Sequence, residues 1–146
     1  MEKISLQKAT LHDLDKVAAL EKEADSKTYS ALTVRSELQD FIKNESVYLI
    51  KRQDLVVGLV AYKVLKGNIA HFDGLIVRPK LRRQNIATQA MARLLKGMAK
   101  YARIELGVHP HNNPALCLYL KLGFIIQSWR DNYFGDGEPR LILVKK

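Results

Sequence analysis

Apolar and polar positions along the chain fall into blocks of two periods. Ile4 to Ala9 alternates and predicts a first strand. Thr10 followed by Asp13 has the spacing of a capping box. The apolar stripe of Leu11, Leu14, Val17, Ala18 and Leu20 then predicts a helix to about Ala24. After a polar break from Asp25 to Ser30, Leu32, Val34, Leu38, Phe41 and Ile42 predict a second helix over Ala31–Lys43. Ser46–Arg52 and Leu55–Leu65, joined at Gln53-Asp54, read as a hairpin, and Lys66-Gly67-Asn68 turns into a central strand, Ile69–Val77. A long helix is predicted from Ile86 to Tyr101, then a strand over Ile104–Val108. Asn112 or Asn113 is placed to cap a helix beginning at Pro114 and ending at Gly123. Phe124–Trp129 and Arg140–Lys145 form a last hairpin.

This order predicts an α/β (α+β) domain over residues 1–146, with a mixed, mostly antiparallel sheet of about seven strands and helices on both faces. The length suits one core. No apolar run approaches a membrane span, and the start Met1-Glu2-Lys3-Ile4 has no export layout, so a non-membrane, cytoplasmic protein is expected. The single Cys117 fits a reducing compartment.

Charge sharpens the picture. The chain carries 24 basic and 15 acidic residues, a net +9, and no acid lies between Asp73 and Glu105. Arg78, Lys80, Arg82, Arg83, Arg93, Lys96, Lys100 and Arg103 all fall in that window. Such a field favours a polyanion, either nucleic acid or a phosphate-rich cofactor. Within it, Val77-Arg78-Pro79 ends a strand, Arg82-Arg83-Gln84-Asn85 makes a basic turn, and Ile86-Ala87 opens a helix. A helix start of this kind holds phosphate through free amides.

The run Arg82 to Ala87 resembles motif A of the GNAT acetyltransferases, with Asn85 in place of the usual glycine and Ala87 at the second small position. Asn tolerates the positive φ such a turn needs. Roughly thirty residues on, Asn112-Asn113-Pro114-Ala115-Leu116-Cys117-Leu118-Tyr119, closed by Gly123-Phe124, is similar to a second signature of that family. With Arg130-Asp131-Asn132-Tyr133-Phe134, the likeness is greatest to the protein N-terminal acetyltransferases, including those acting on ribosomal proteins. Phe134 and Glu138-Pro139 depart from that branch's Tyr and acidic pair.

The resemblance implies the GNAT fold with strands four and five splayed, acetyl-CoA as co-substrate without a metal, and acetyl transfer to a primary amine, foremost a protein N-terminus. It places acetyl-CoA against Leu75, Ile76, Val77, Arg82, Arg83, Gln84, Asn85, Ile86, Ala87, Asn112 and Tyr119. Backbone amide near Ile76 or Val77 would face the thioester oxygen, and Tyr119 would be the general acid. The same Tyr119 also reads as a helix residue packed on the core. Where the ribosomal-protein branch carries a glutamate base, this chain has Gly107. His71, Asp73 and Glu105 are the substitutes, His71 first because its free pKa near 6.5 suits a base.

His109-Pro110-His111 lacks further ligands for a metal, and nothing in the sequence activates Cys117 as a nucleophile. The aromatic stretch Trp129 to Phe134 reads as an acceptor-cleft wall or as a plain hairpin tip. The alternatives are acetylation of a small amine (a polyamine, amino acid or drug) and a non-catalytic basic binding module. Direct nucleic-acid binding and a membrane partner are not expected, and a homodimer is left open.

Overall fold

The structure, a computed structural model, describes residues 3–26 and 28–146; Met1, Glu2 and, within the polar break, Lys27 lie outside the described residues. In chain order the elements are β1 (Ile4–Lys8), α1 (Leu14–Ala24), α2 (Arg35–Asn44), β2 (Ser46–Arg52), β3 (Leu55–Leu65), β4 (Ile69–Val77), α3 (Ile86–Leu95), β5 (Arg103–Val108), α4 (Asn113–Lys121), β6 (Ile125–Arg130) and β7 (Arg140–Lys145). Single 3-10 turns at Leu11–Asp13 and Pro79–Leu81 precede α1 and α3. The seven strands form one sheet in the order β1-β2-β3-β4-β5-β7-β6, antiparallel except for the parallel pair β4 and β5.

Two apolar cores flank the sheet. Val17, Leu20, Leu38 and Phe41 of α1 and α2 pack on Val47, Leu49, Leu59 and Ile76. On the other face Ile86, Ala90 and Met91 of α3 and Tyr119 of α4 pack with Val60, Phe72, Leu106 and Leu143. The capping box predicted at Thr10 is formed: the Thr10 amide donates to Asp13 Oδ2 at 3.0 Å, and the Thr10 side chain accepts in return.

Two helices are shorter than their apolar periods predict. Residues 31–34 are not helical, because the Leu32 amide is drawn to Glu21 Oε1 at 3.0 Å on the buried side of α1. The third helix ends at Leu95, where the Gly97 and Met98 amides bond three residues back, to Leu94 and Leu95. Met98 stays buried through this tightened turn, which is why its apolar period outlasts the helix.

Two features of β4 position the site. Ala61 pairs with Gly74 and Tyr62 with Phe72, so Asp73 is an extra, bulged residue. The bulge reverses the alternation: Ala70 and Phe72 face the α3 core, yet beyond it Leu75 and Val77 do so while Ile76 faces the α1–α2 core. The pairing of β4 with β5 runs only from Ile69–Arg103 to Phe72–Leu106. From Asp73 to Val77 the edge of β4 toward β5 has no strand partner among the described residues, and the two strands splay.

Candidate active site

The turn after β4 is set by two left-handed residues, Arg83 at φ 67° and Asn85 at φ 66°. Only Gly, Asn and Asp adopt that conformation at little cost, so Asn85 stands in for glycine here. No side chain caps α3, and its first intrahelical bond is Gln89 N–H to the Asn85 carbonyl at 3.1 Å. The amides of Ile86, Ala87 and Thr88 therefore have no intrahelical acceptor. Gln84 is held by Arg52, whose Nη1 donates to its Oε1 at 2.6 Å, and Arg82 Nε reaches the Val77 carbonyl at 3.4 Å. An uncapped helix start ringed by arginines, with the β4 edge open beside it, fits a ligand carrying a diphosphate and a long thin arm.

Across the splay stands Tyr119. Asn112 caps α4, its Oδ1 accepting from the Ala115 amide at 3.3 Å, with Pro114 in the first turn. The Tyr119 ring meets Phe124 edge-on at 5.8 Å and is buried, which pushes its phenol pKa far up. Its hydroxyl makes no hydrogen bond among the described residues, so a proton is present there and free to be donated. Tyr119 thus belongs to the core, and its protonated hydroxyl is unpaired among the described residues.

On the α1–α2 side of the sheet, His71 and Glu105 sit opposite one another on the parallel pair. Nδ1 of His71 lies 3.1 Å from Glu105 Oε1, and Glu105 Oε2 takes a bond from Arg103 Nη2 at 3.2 Å. Because a carboxylate only accepts, Nδ1 carries the proton and Nε2 keeps its lone pair. Burial lowers the His71 pKa below 6.5, against an upward pull from Glu105, so the ring is neutral at pH 7. Two of the three residues proposed as base are one hydrogen-bonded unit.

Asp73, at the bulge, shares the neighbours Glu45 and Lys63 with His71. Burial beside Glu45 raises its carboxyl to about 9, so Asp73 is protonated at neutral pH. Asp73 Oδ1 and Glu45 Oε1 are both buried with no donor from any other described residue, so the proton on Asp73 is what joins the two carboxyls.

Residues 14–124 match the Acetyltransferase (GNAT) family. The chain belongs to that family. A GNAT of known structure, the ribosomal-protein-S18-alanine N-acetyltransferase from Escherichia coli, is similar over 97% of this chain and 92% of its own, with 18% identity and a TM-score of 0.81. Ard1 from Thermoplasma volcanium matches over 97% and 96% at 18% identity and a TM-score of 0.85. The spermidine/spermine N-acetyltransferase SpeG from Vibrio cholerae matches over 98% and 92% at 19% identity and a TM-score of 0.78. No curated protein sequence matches the chain significantly.

The protein is therefore an acetyltransferase, and the fold and the splay of strands four and five are those expected of a GNAT. The family uses acetyl-CoA as co-substrate and an amine as acceptor. The structure brings His71 and Glu105 together and sets Asp73 beside them. Leu75, Ile76 and Val77 lie along the splayed edge, Arg82 to Ala87 at the helix start, and Asn112 and Tyr119 on α4.

Sequence reasoning gave no site role to three neighbours of His71 and Asp73, namely Tyr29, Arg103 and Glu45, and named Tyr133 only within the aromatic stretch. Tyr29 donates to the buried Glu21 Oε2 at 2.8 Å, and its hydroxyl would lie 3.7 Å from a Cβ on Gly74. Arg103 braces Glu105, and Glu45 faces Asp73. Tyr133 lies over Gly107, where an added Cβ would come within 3.2 Å of its ring. Tyr133 had a signal in the aromatic stretch and Arg103 in the acid-free basic window; Tyr29 and Glu45 had none.

The two histidines set aside as metal ligands have another use. His109 is buried; its Nδ1 accepts from the His111 amide at 3.0 Å and its Nε2 meets Glu138 Oε1 at 2.8 Å. This ties the loop before β7 to the end of β5. Among the described residues no helix is long and apolar enough to cross a membrane.

Proposed function

We propose that the protein transfers the acetyl group of acetyl-CoA to a protein or peptide N-terminal α-amine by direct attack in a ternary complex. The observation that carries this reading is the neutral His71, held by Glu105 through Nδ1 so that Nε2 keeps its lone pair, on the acceptor side of the β4–β5 splay. A histidine whose pKa is lowered is a weak base. It suits an α-amine, with pKa near 8, far better than a lysine near 10.4.

The amides of Ile86 and Ala87, with Arg82 and Arg83 around them, would hold the donor's diphosphate; Gln84 and Asn85 shape that turn, and Asn112 fixes the α4 end. Leu75, Ile76 and Val77 in the splay would line the pantetheine arm, and a β4 amide left without a β5 partner there would donate to the thioester oxygen. The thioester supplies an acyl carbon open to attack by a neutral amine. The new C–N bond forms as the C–S bond breaks; the amine proton ends on His71, and Tyr119 gives its proton to the departing sulfur. Asp73, neutral at pH 7, serves as a hydrogen-bonding group at the acceptor and not as the base.

A second reading has its own observation. The buried carboxyl pair of Asp73 and Glu45, which shares a proton in the free protein, would hold a second cationic group by giving that proton up, as a polyamine would require. Purified protein with acetyl-CoA, assayed for free thiol against peptides with open N-termini, lysine peptides with blocked N-termini, and polyamines, separates the two. Fastest turnover is expected with the open N-termini; preference for polyamines would replace the first reading with the second.

A further inference from the structure

We infer that Tyr133 relays the acceptor's proton to His71, so that the base of this enzyme is a three-residue chain completed by the β6–β7 loop. The inference rests on the proposed acetyl transfer and on His71 as its base. Its starting point is the space above Gly107. A Cβ there would lie 3.2 Å from Tyr133 Cε2 and 3.5 Å from Cδ2, so glycine lets the ring lie directly on β5, where even a methyl group would press it away by a few tenths of an ångström. The ring brings the Tyr133 hydroxyl 3.5 Å from His71 Nε2, the only nitrogen of that imidazole with a lone pair.

The loop that carries Tyr133 is built to hold it. Asn132 adopts φ 48° and its Oδ1 accepts from the Gly137 amide at 2.7 Å. The buried Arg140 bonds Asp136 Oδ2 at 3.0 Å and lies 5.0 Å below the Phe134 ring, which meets Tyr133 edge-on at 4.8 Å. Glu138 is bonded to the buried His109 at the end of β5. Tyr133 is half-buried, and burial raises its phenol pKa, so it is protonated and can donate.

With Nδ1–H given to Glu105, the one bond the Tyr133 hydroxyl can make to Nε2 is as donor. Its oxygen then has lone pairs turned outward to the acceptor. As the C–N bond forms, the amine N–H proton passes to the Tyr133 oxygen while the Tyr133 proton passes to Nε2. The phenol is regenerated, and the charge sits on an imidazolium held by Glu105, itself braced by Arg103. The groups that set this balance are Lys63 of β3, Glu45 after α2, Asp73 of β4, Glu105 of β5 and Arg130 of β6.

Two measurements test the relay. In the free protein, nitrogen NMR of His71 is followed through pH in wild type and Tyr133→Phe, a change that keeps the ring over Gly107. A displaced His71 titration or Nε2 shift is expected; identical curves would overturn the contact. In turnover with acetyl-CoA and an alanine-initiated peptide, Tyr133→Phe is expected to lower kcat at least tenfold with peptide KM within about twofold, the low end of acid–base contributions. Its acid limb, set by His71 below pH 6.5 in wild type, should move toward the amine's own pKa near 8. A changed KM with the limb in place would make Tyr133 a packing residue and end the proposal. His71→Gln separates the two levels: if it keeps the limb, the base assignment itself falls, whereas loss of the limb there and not in Tyr133→Phe overturns only the relay.

Discussion

Asp73→Asn isolates the strongest electrostatic perturbation near the cleft. The wild-type carboxyl sits at about 9 in the folded protein, raised by burial beside Glu45, against an ordinary 3.8 in the unfolded chain. The folded state thus holds a proton that the unfolded state has released. Below 3.8 both forms are protonated and stability is greatest; as pH rises toward 9, stability falls at up to about 1.4 kcal/mol per pH unit. From pH 5 to 8 the ceiling is about 4 kcal/mol; partial solvent access and the shared proton with Glu45 bring the expectation to about 2 kcal/mol. Asparagine copies the protonated carboxyl without titrating. Urea unfolding of both proteins at pH 5, 6.5 and 8 should show the variant gaining on wild type steadily with pH. Parallel curves, within about 0.5 kcal/mol over the range, would mean that Asp73 is ionised in the folded protein and available as a charged acceptor group.

Tyr119→Phe should lower kcat tenfold or more while acetyl-CoA affinity, measured by calorimetry, stays within about twofold; unchanged turnover would remove Tyr119 as the acid. Arg83→Ala should weaken acetyl-CoA binding by about 1–3 kcal/mol, the range of charge-assisted hydrogen bonds, and an unchanged titration would detach the basic turn from phosphate. Asn85→Gly should be tolerated in both stability and binding, whereas Asn85→Ala should cost about 1–2 kcal/mol for its left-handed φ of 66°, read by urea unfolding. Gly107→Glu should dislodge Tyr133 from β5 and lower activity; activity at or above wild type would show that the ring over Gly107 is dispensable.

Much of the fold was legible because its signals are local. The Thr10–Asp13 box, the Asn112 cap with Pro114, and the strands over 46–52, 55–65 and 69–77 each rest on a few adjacent residues, and the structure has them at those places. The helix ends differ from the apolar periods for two reasons, a local tightened turn after Leu95 and a distant partner before α2. The segment before α2 is extended because it serves the buried Glu21, eleven residues before Leu32. The bulge at Asp73 leaves no mark in an apolar run whose pairing partner is β3, so the switch of faces before Leu75 was invisible. The candidate site divides the same way. Arg82 to Ala87 announces itself by charge and small residues in sequence, and Tyr119 by its signature. The partnership of His71 with Glu105, and of Tyr133 with Gly107, joins residues 34 and 26 apart, and no periodicity reports such contacts.

The account stands on where the donor sits. A crystal structure of the protein with acetyl-CoA should show its diphosphate on the amides of Ile86 and Ala87, with the thioester in the β4–β5 splay between the Tyr119 hydroxyl and the His71 side. A diphosphate bound elsewhere, or a thioester outside the splay, would contradict it.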